Sequence, residues 1–281
     1  MLRAVARGPA PPAAEQFDAP NLDGPAGSTT TLPIFPLGLV ALPSTVTPLH
    51  IFEARYRVLF STLMDGADGF DIEEGLVSED SPFKGTRTFG MCLSMGNGSM
   101  CATGTSLYIE THSKLPDGRM LIENTGGRRF RVKDVLQETP VLVCEVEWID
   151  EPQPEPFDPE AEELSQEVLQ TLRSVLDLNC KLNQAASDVM DKLEREAAGR
   201  GPAEVSYLAA SMFADAPAEQ QQLLEMDTAI ERLTRERELL QEAERFLSAQ
   251  VALKGVFGEG SEDPSESSGT RRRSGGSEEE A

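Results

Sequence analysis

Two histidines, His50 and His112, and four cysteines, Cys92, Cys101, Cys144 and Cys180, are the residue types best suited to metal binding or nucleophilic chemistry. Their spacing supports neither. No two cysteines have the CxxC separation of a zinc or redox site. Cys92 and Cys101 flank a Gly-rich turn. They either face each other across a hairpin or, as free cysteines mostly do, fill the core as small hydrophobes. The histidines become ligands only if the fold brings acidic partners to them; structural or surface roles are commoner. The sequence contains no GxxxxGK[ST] phosphate loop, no GxSxG elbow and no HExxH helix. Its many carboxylates fall mostly on helical faces, where runs of charge are usually solvated. The expectation is a protein with no catalytic site, no cofactor and no metal.

The charge balance narrows the partners. Lys and Arg number 25 against 48 Asp and Glu, a formal net charge of −23 over 281 residues. Nucleic-acid binders usually carry a basic face, and residues 31–150 hold ten basic against sixteen acidic side chains. Acidity also opposes adhesion to anionic membranes, and no apolar run approaches the ~20 residues that span a bilayer.

The elements are legible from periodicity. Ile34 to Leu42 is apolar and broken by Pro36, Gly38 and Pro43, which reads as short strands with turns. Val46 to Phe52 is a further strand, and Pro48 inside it indicates an edge position or a bulge. Tyr56, Leu59, Phe60 and Leu63 then recur at helical spacing. Phe89–Met95, Cys101–Thr111, Met120–Asn124, Arg129–Leu136 and Val141–Ile149 are candidate strands. Gly96-Asn97-Gly98, Pro116-Asp117-Gly118, Gly126-Gly127 and Thr139-Pro140 are read as the turns between them. In the last strand Cys144, Val146 and Trp148 alternate with Glu145 and Glu147.

Residues 151–157 form a Pro-rich acidic hinge, and Asp158-Pro159 reads as a helix N-cap and first helical residue. An apolar stripe from Leu164 to Leu193 predicts one helix to about Arg195. A short helix is expected over Val205–Phe213, and a last one opens at Pro217. Its track of Leu223, Met226, Ile230, Leu233, Leu240, Leu247 and Val251 fits packing within the chain or a dimeric coiled coil. Arg237 and Glu244 in the seam favour the former. The expected organisation is a disordered tail over 1–30, a β-rich subdomain over 31–150, a helical subdomain over 151–257 and a disordered acidic tail over 258–281.

Several of these motifs, taken in order, resemble the Lon-protease N-terminal domain, a PUA-like substrate-recognition module. The resemblance rests on Phe35-Pro36-Leu37, Pro43, Pro48-Leu49-His50-Ile51-Phe52-Glu53 and Arg55-Tyr56-Arg57. It continues through Gly104-Thr105, Leu115-Pro116-Asp117-Gly118-Arg119, Gly126-Gly127-Arg128-Arg129-Phe130-Arg131-Val132 and Pro140 to Asp150. In the helical half it includes Ala218 to Glu225 and Arg232-Leu233. The Ala252 to Phe257 ending is similar to stand-alone Lon-domain proteins of plastids and cyanobacteria. One departure is an acidic insertion from Asp68 to Thr88, expected to be a surface loop or a lineage-specific binding loop.

The resemblance implies an α+β fold: a PUA-like, partly open β-barrel followed by a helical bundle. It implies a non-catalytic module that binds unfolded or client proteins in protein quality control, in the chloroplast or alternatively the cytoplasm. The candidate protein-binding residues are Phe35, Leu37, Leu39, His50, Phe52, Tyr56 and Arg57, each of a type that more often serves the core. Phe52 is expected to help bury the corner between strand and helix against the last helix. Two other readings stay open: an RNA-binding PUA-like domain resting on Arg128, Arg129, Arg131 and Lys133, and a regulatory subunit working in trans with an ATP-dependent protease. An Arg-containing start with no acidic residue before Glu15 is compatible with a transit segment or a plain tail.

Overall fold

The computed structural model describes residues 4–5, 17, 19–67, 69–70, 72, 74–96, 98–149, 158–183 and 188–258. Its strands are β1 (Ala4–Val5), β2 (Thr29–Leu37), β3 (Val46–Ile51), β4 (Thr88–Ser94), β5 (Met100–Lys114), β6 (Met120–Gln137) and β7 (Leu142–Ile149). Its helices are α1 (Ala54–Met64), α2 (Pro159–Asn183), α3 (Asp188–Ala197), α4 (Pro202–Ser211), α5 (Pro217–Glu225) and α6 (Ala229–Gly258). The hinge over 151–157 and the tail over 259–281 lie outside the described residues, as do most of residues 1–18.

The sheet runs β1-β5-β4-β2-β7-β6-β3, and a further β5–β6 pairing curls it into a partly open barrel. Only β2 and β4 pair in parallel; the other pairings are antiparallel. β5 and β6 are long and bulged, and bulges bend a strand and increase its twist. β3 ends the order, so the proline inside it falls on an edge strand, where no ladder N–H is missed. β2 has both faces covered. Leu32 and Ile34 enter one apolar cluster with Phe130, Val146 and Trp148, while Phe35 enters another with α1. A strand buried on both sides needs a near-continuous apolar run, and that is what LPIF supplies.

Three expectations need correction. Gly126-Gly127 is no turn: β6 passes straight through it. The glycine is there for close approach, since a Cβ on Gly126 would lie 2.0 Å from the Leu42 carbonyl oxygen. Gly126 N–H donates to Thr45 O and Ser44 N–H to Gly126 O, both at 2.8 Å, which straps the β2–β3 loop across the strand. Next, the last helix is two helices. Thr228 and Glu231 form a capping box, with Glu231 N–H to Thr228 Oγ1 and Thr228 N–H to Glu231 Oε2 both at 3.2 Å, and this starts α6 afresh. Likewise the stripe from Leu164 to Leu193 is divided between α2 and α3. Asp158 does cap α2, accepting from the N–H groups of Glu160 and Ala161.

The boundary at residue 30 also moves. Residues 19–30 belong to the fold: Trp148 Nε1–H donates to Asn21 O at 3.1 Å, Arg128 reaches Gly24 O at 2.6 Å, and Gly27 N–H donates to Trp148 O. Leu22 packs on the Trp148 cluster. The sparse apolar pattern of this stretch gave no sign that its backbone carbonyls would be used.

The two halves meet through a cluster that joins Val40, Leu42, Leu93 and Cys101 to Tyr207, Ala210, Leu223 and Leu224. Neither α1 nor Phe52 takes part. Gln221 is fully buried there and donates to Thr103 O on β5 at 3.1 Å. Arg129 crosses the junction from β6, and Arg232 lies fully buried on α6 with its guanidinium 4.1 Å from the Tyr207 ring centroid. One turn further, Glu236 is buried too. Burial pushes its carboxyl well above the usual range, against the opposing pull of Arg232.

None of the four cysteines is in a disulfide. Cys92 and Cys101 do not face each other: Cys92 packs in the Phe130–Trp148 cluster and Cys101 in the junction cluster. Burial raises the thiol pKa of both and pushes Cys144 up to about 12. Cys180 is only half-buried on α2. A thiol titration of native protein should therefore show one fast-reacting group and three that react only on unfolding, because the thiolate is the nucleophile. Three fast thiols would contradict the packing of β4, β5 and β7.

Candidate functional site

β3 alternates strictly. Thr47, Leu49 and Ile51 point in, while Val46, Pro48 and His50 point out. Phe52 continues the outward row just past the strand end, so the corner residue expected in the core is instead 63% exposed. The alternation of Leu49 and Ile51 already implied this; the helical periodicity that starts at Tyr56 obscured it. Across the sheet, His50 pairs with Leu121, Pro48 with Glu123 and Val46 with Thr125, which pairs in turn with Tyr108. Val46 is 68%, Leu121 46% and Tyr108 41% exposed. The outer face of β3-β6-β5 thus carries two apolar rows, that of Leu121 beside His50 and that of Val46 and Tyr108, separated by the row of Pro48 and Glu123. The His50 and Phe52 rings lie 5.9 Å apart there. Apolar groups clustered on a sheet face otherwise rimmed by polar residues mark a contact surface more often than scattered ones do.

The other candidate residues are distributed differently. Phe35 and Tyr56 are buried and meet edge to face at 4.5 Å, so both serve the core. Leu37 is half-buried on the same cluster, and Leu39 is exposed in the loop after β2. Arg57 is half-buried and lies against the turn at Gly118. His112 stacks on Phe70 at 5.0 Å. Among the described residues no group of three or more His, Cys, Asp or Glu is placed to hold a metal, and no helix is long and apolar enough to cross a membrane.

A groove of about 530 Å³ opens where α1, the β2–β7 pair and the turn before β7 meet the Asp68–Thr88 insertion. Val58, Leu59, Val141, Val143, Pro82 and Phe83 form its apolar walls. The insertion is more than a surface loop. Phe83 enters the α1 core, Ser78 N–H donates to Thr62 Oγ1 at 2.9 Å, and Arg87 N–H donates to Leu63 O at 2.9 Å. The Arg87 guanidinium sits between the Phe70 and Tyr108 rings, 4.7 and 4.6 Å from their centroids. Sequence reading missed these residues, although Phe70, Ile72 and Phe83 gave an acidic segment more apolar anchors than a plain loop needs.

The basic run on β6 is consumed structurally. Arg129 donates to the Leu224, Met226 and Asp227 carbonyls, Arg128 is held over the Trp148 ring, and Lys133 pairs with Glu147 at 3.0 Å. Arg131 remains on the exposed face.

An α+β fold in which a partly open barrel is followed by a helical bundle is the architecture of Lon N-terminal domains. The family model for the ATP-dependent protease La (LON) substrate-binding domain matches residues 31–242, and the chain belongs to that family. It is 25% identical over 211 residues to a Lon protease of Cytophaga hutchinsonii, covering 73% of this chain and 23% of that protein. The chain thus spans less than a quarter of that relative's length. The crystal structure of a Lon N-terminal domain protein from Xanthomonas campestris superposes with a TM-score of 0.50 at 25% identity, covering 73% of this chain and 96% of that one. The N-terminal domain of a Mycobacterium avium complex Lon protease shares the fold, with a TM-score of 0.50 at 17% identity over 77% of this chain and 98% of that one.

Proposed function

We propose that this chain is a non-catalytic recognition module that captures exposed apolar segments of unfolded client proteins. It would act in protein quality control, in the plastid compartment that the sequence resemblance suggests. The observation that carries the proposal is the outer sheet face, where Phe52 and Leu121 stand exposed at one end and Val46 and Tyr108 at the other. Membership of a substrate-binding domain family supports a recognition role. A solvent-exposed phenyl ring costs little stability to remove, yet burying it against a client contributes about 1.5–3 kcal/mol, or roughly ten- to a hundredfold in Kd.

Phe52→Asp should therefore weaken binding of fluorescein-labelled casein at least about tenfold while leaving the thermal midpoint within about 2 °C of wild type. Leu121→Asp should act in the same direction. Unchanged casein binding in both variants would refute the sheet face as the capture surface. Action in trans with an ATP-dependent protease is a second reading, supported by the same family membership; co-purification of such a protease from the native compartment tests it. The RNA-binding alternative loses its support, since three of its four basic residues are tied to protein partners.

A further inference from the structure

The groove beside α1 is not fully open. Phe17 lines the groove and packs against the α1 cluster. Its ring lies nearly parallel to that of Phe83, with centroids 6.5 Å apart and planes inclined by 25°. Beyond Phe17 about 530 Å³ is still unfilled, within the range of a pre-formed ligand pocket. The lining is mostly apolar, and its charged members are Arg55, held by Glu53 at 3.0 Å, and Asp80 on the insertion. Three independent elements build the cleft, and the insertion is fastened to α1 by backbone and side-chain hydrogen bonds. Lys84 adds contacts to Asp65, at 3.3 Å, and to Glu79.

We infer that this groove is a second peptide-docking site, which takes an extended apolar segment with an aromatic anchor, and that Phe17 occupies it in cis as a tethered competitor. The inference rests on the client-binding reading and adds a second site to it, with its own regulation. Phe17 shows the chemistry that fits, an aromatic ring laid on Phe83 and against apolar walls. The tether gives it an advantage over any free peptide, because a covalently linked ligand acts at an effective concentration in the millimolar range. A client segment then binds with an apparent Kd raised by one plus the ratio of that effective concentration to the intrinsic Kd of Phe17 for the groove. The Asp68–Thr88 insertion then has a role, as the wall that converts one flank of α1 into a cleft.

The test uses the full chain and a fluorescein-labelled peptide with the sequence of residues 13–20, AAEQFDAP, measured by fluorescence anisotropy. Phe17→Ala should bind it about tenfold more tightly than wild type. Adding Val58→Glu, which places a carboxylate on the groove wall from the exposed side of α1, should abolish that binding; unchanged melting shows that the variant folds. Phe52→Asp in the Phe17→Ala background should leave peptide binding intact. Equal affinity for wild type and Phe17→Ala would overturn the competitor role, and binding insensitive to Val58→Glu would overturn the site. Absence of peptide binding to Phe17→Ala would also overturn it, while casein capture at the sheet face would stand or fall separately on Phe52→Asp.

Discussion

Arg129→Ala should lower the stability of the protein by about 3–5 kcal/mol, the effect of stranding buried polar groups and opening a cavity at once. Arg129 is 3% exposed, and its guanidinium donates to Leu224 O at 2.9 Å and Met226 O at 2.5 Å, with Asp227 O at 3.5 Å. These carbonyls belong to the end of α5 and the turn after it, where a helix exposes acceptors and the negative end of its dipole. Met226 O also lies 3.4 Å from Arg232 Nη1, so two buried arginines hold the α5–α6 turn from opposite halves of the molecule. With Arg129 gone, a β-sheet side chain no longer satisfies the helix end. The thermal midpoint should fall by roughly 10 °C. Arg129→Lys should recover little, because a single ammonium lacks the planar fork that reaches several acceptors. Arg131→Ala, two residues along on the exposed face, is the control. Urea unfolding of the three variants decides: a loss below about 1 kcal/mol for Arg129→Ala would mean that the halves do not depend on this contact.

Phe60→Ala should cost a similar amount, about 3–5 kcal/mol, for a different reason. Phe60 is fully buried and stands at the centre of the α1 cluster. It meets Phe89 edge to face at 4.9 Å and Phe35 at 5.8 Å, with interplanar angles of 85° and 90°. Its removal leaves a cavity bounded by β2, β4 and α1, none of which moves inward without breaking the β2–β4 ladder. Each edge-to-face pair adds about 0.5–1.5 kcal/mol beyond burial. Phe52→Ala, eight residues earlier on the same helix–strand corner, should change stability by less than about 0.5 kcal/mol because its ring is in solvent. Melting curves of the pair separate core from surface on one short segment. Equal losses from both would contradict the outward placement of Phe52.

These contrasts show where sequence reasoning reached. Periodicity located α1 because Tyr56, Leu59, Phe60 and Leu63 all face one core, and alternation located β7 because Cys144, Val146 and Trp148 all face another. Pro48 marked an edge strand through its missing N–H alone. The errors share a cause. Gly126 was read as local punctuation, whereas its lack of a side chain is needed for the Leu42 carbonyl, remote in sequence. Arg129 was read as part of a basic run with Arg128, Arg131 and Lys133, whereas its guanidinium reaches the carbonyls at the end of α5. A strand's pattern says which residues share a face and leaves open whether another element covers it.

The candidate surface divides the same way. The motif around His50 and Phe52 was visible as a cluster of residue types, and the β3 alternation determined which of them share a face. Local composition likewise determined the strands, the Asp158 cap, the acidic surface and the lack of catalytic motifs, because each depends on neighbours within a few residues. Only the tertiary structure decided that Leu121 and Tyr108 share the outer sheet face with Phe52, since cross-strand register is a non-local choice. Only the tertiary structure decided that two basic residues, Arg129 and Arg232, act as internal struts, and that Phe17 and the acidic insertion meet over one groove. Those outcomes depend on which distant carbonyls and rings lie within reach once the chain has closed on itself, and no window of sequence contains them.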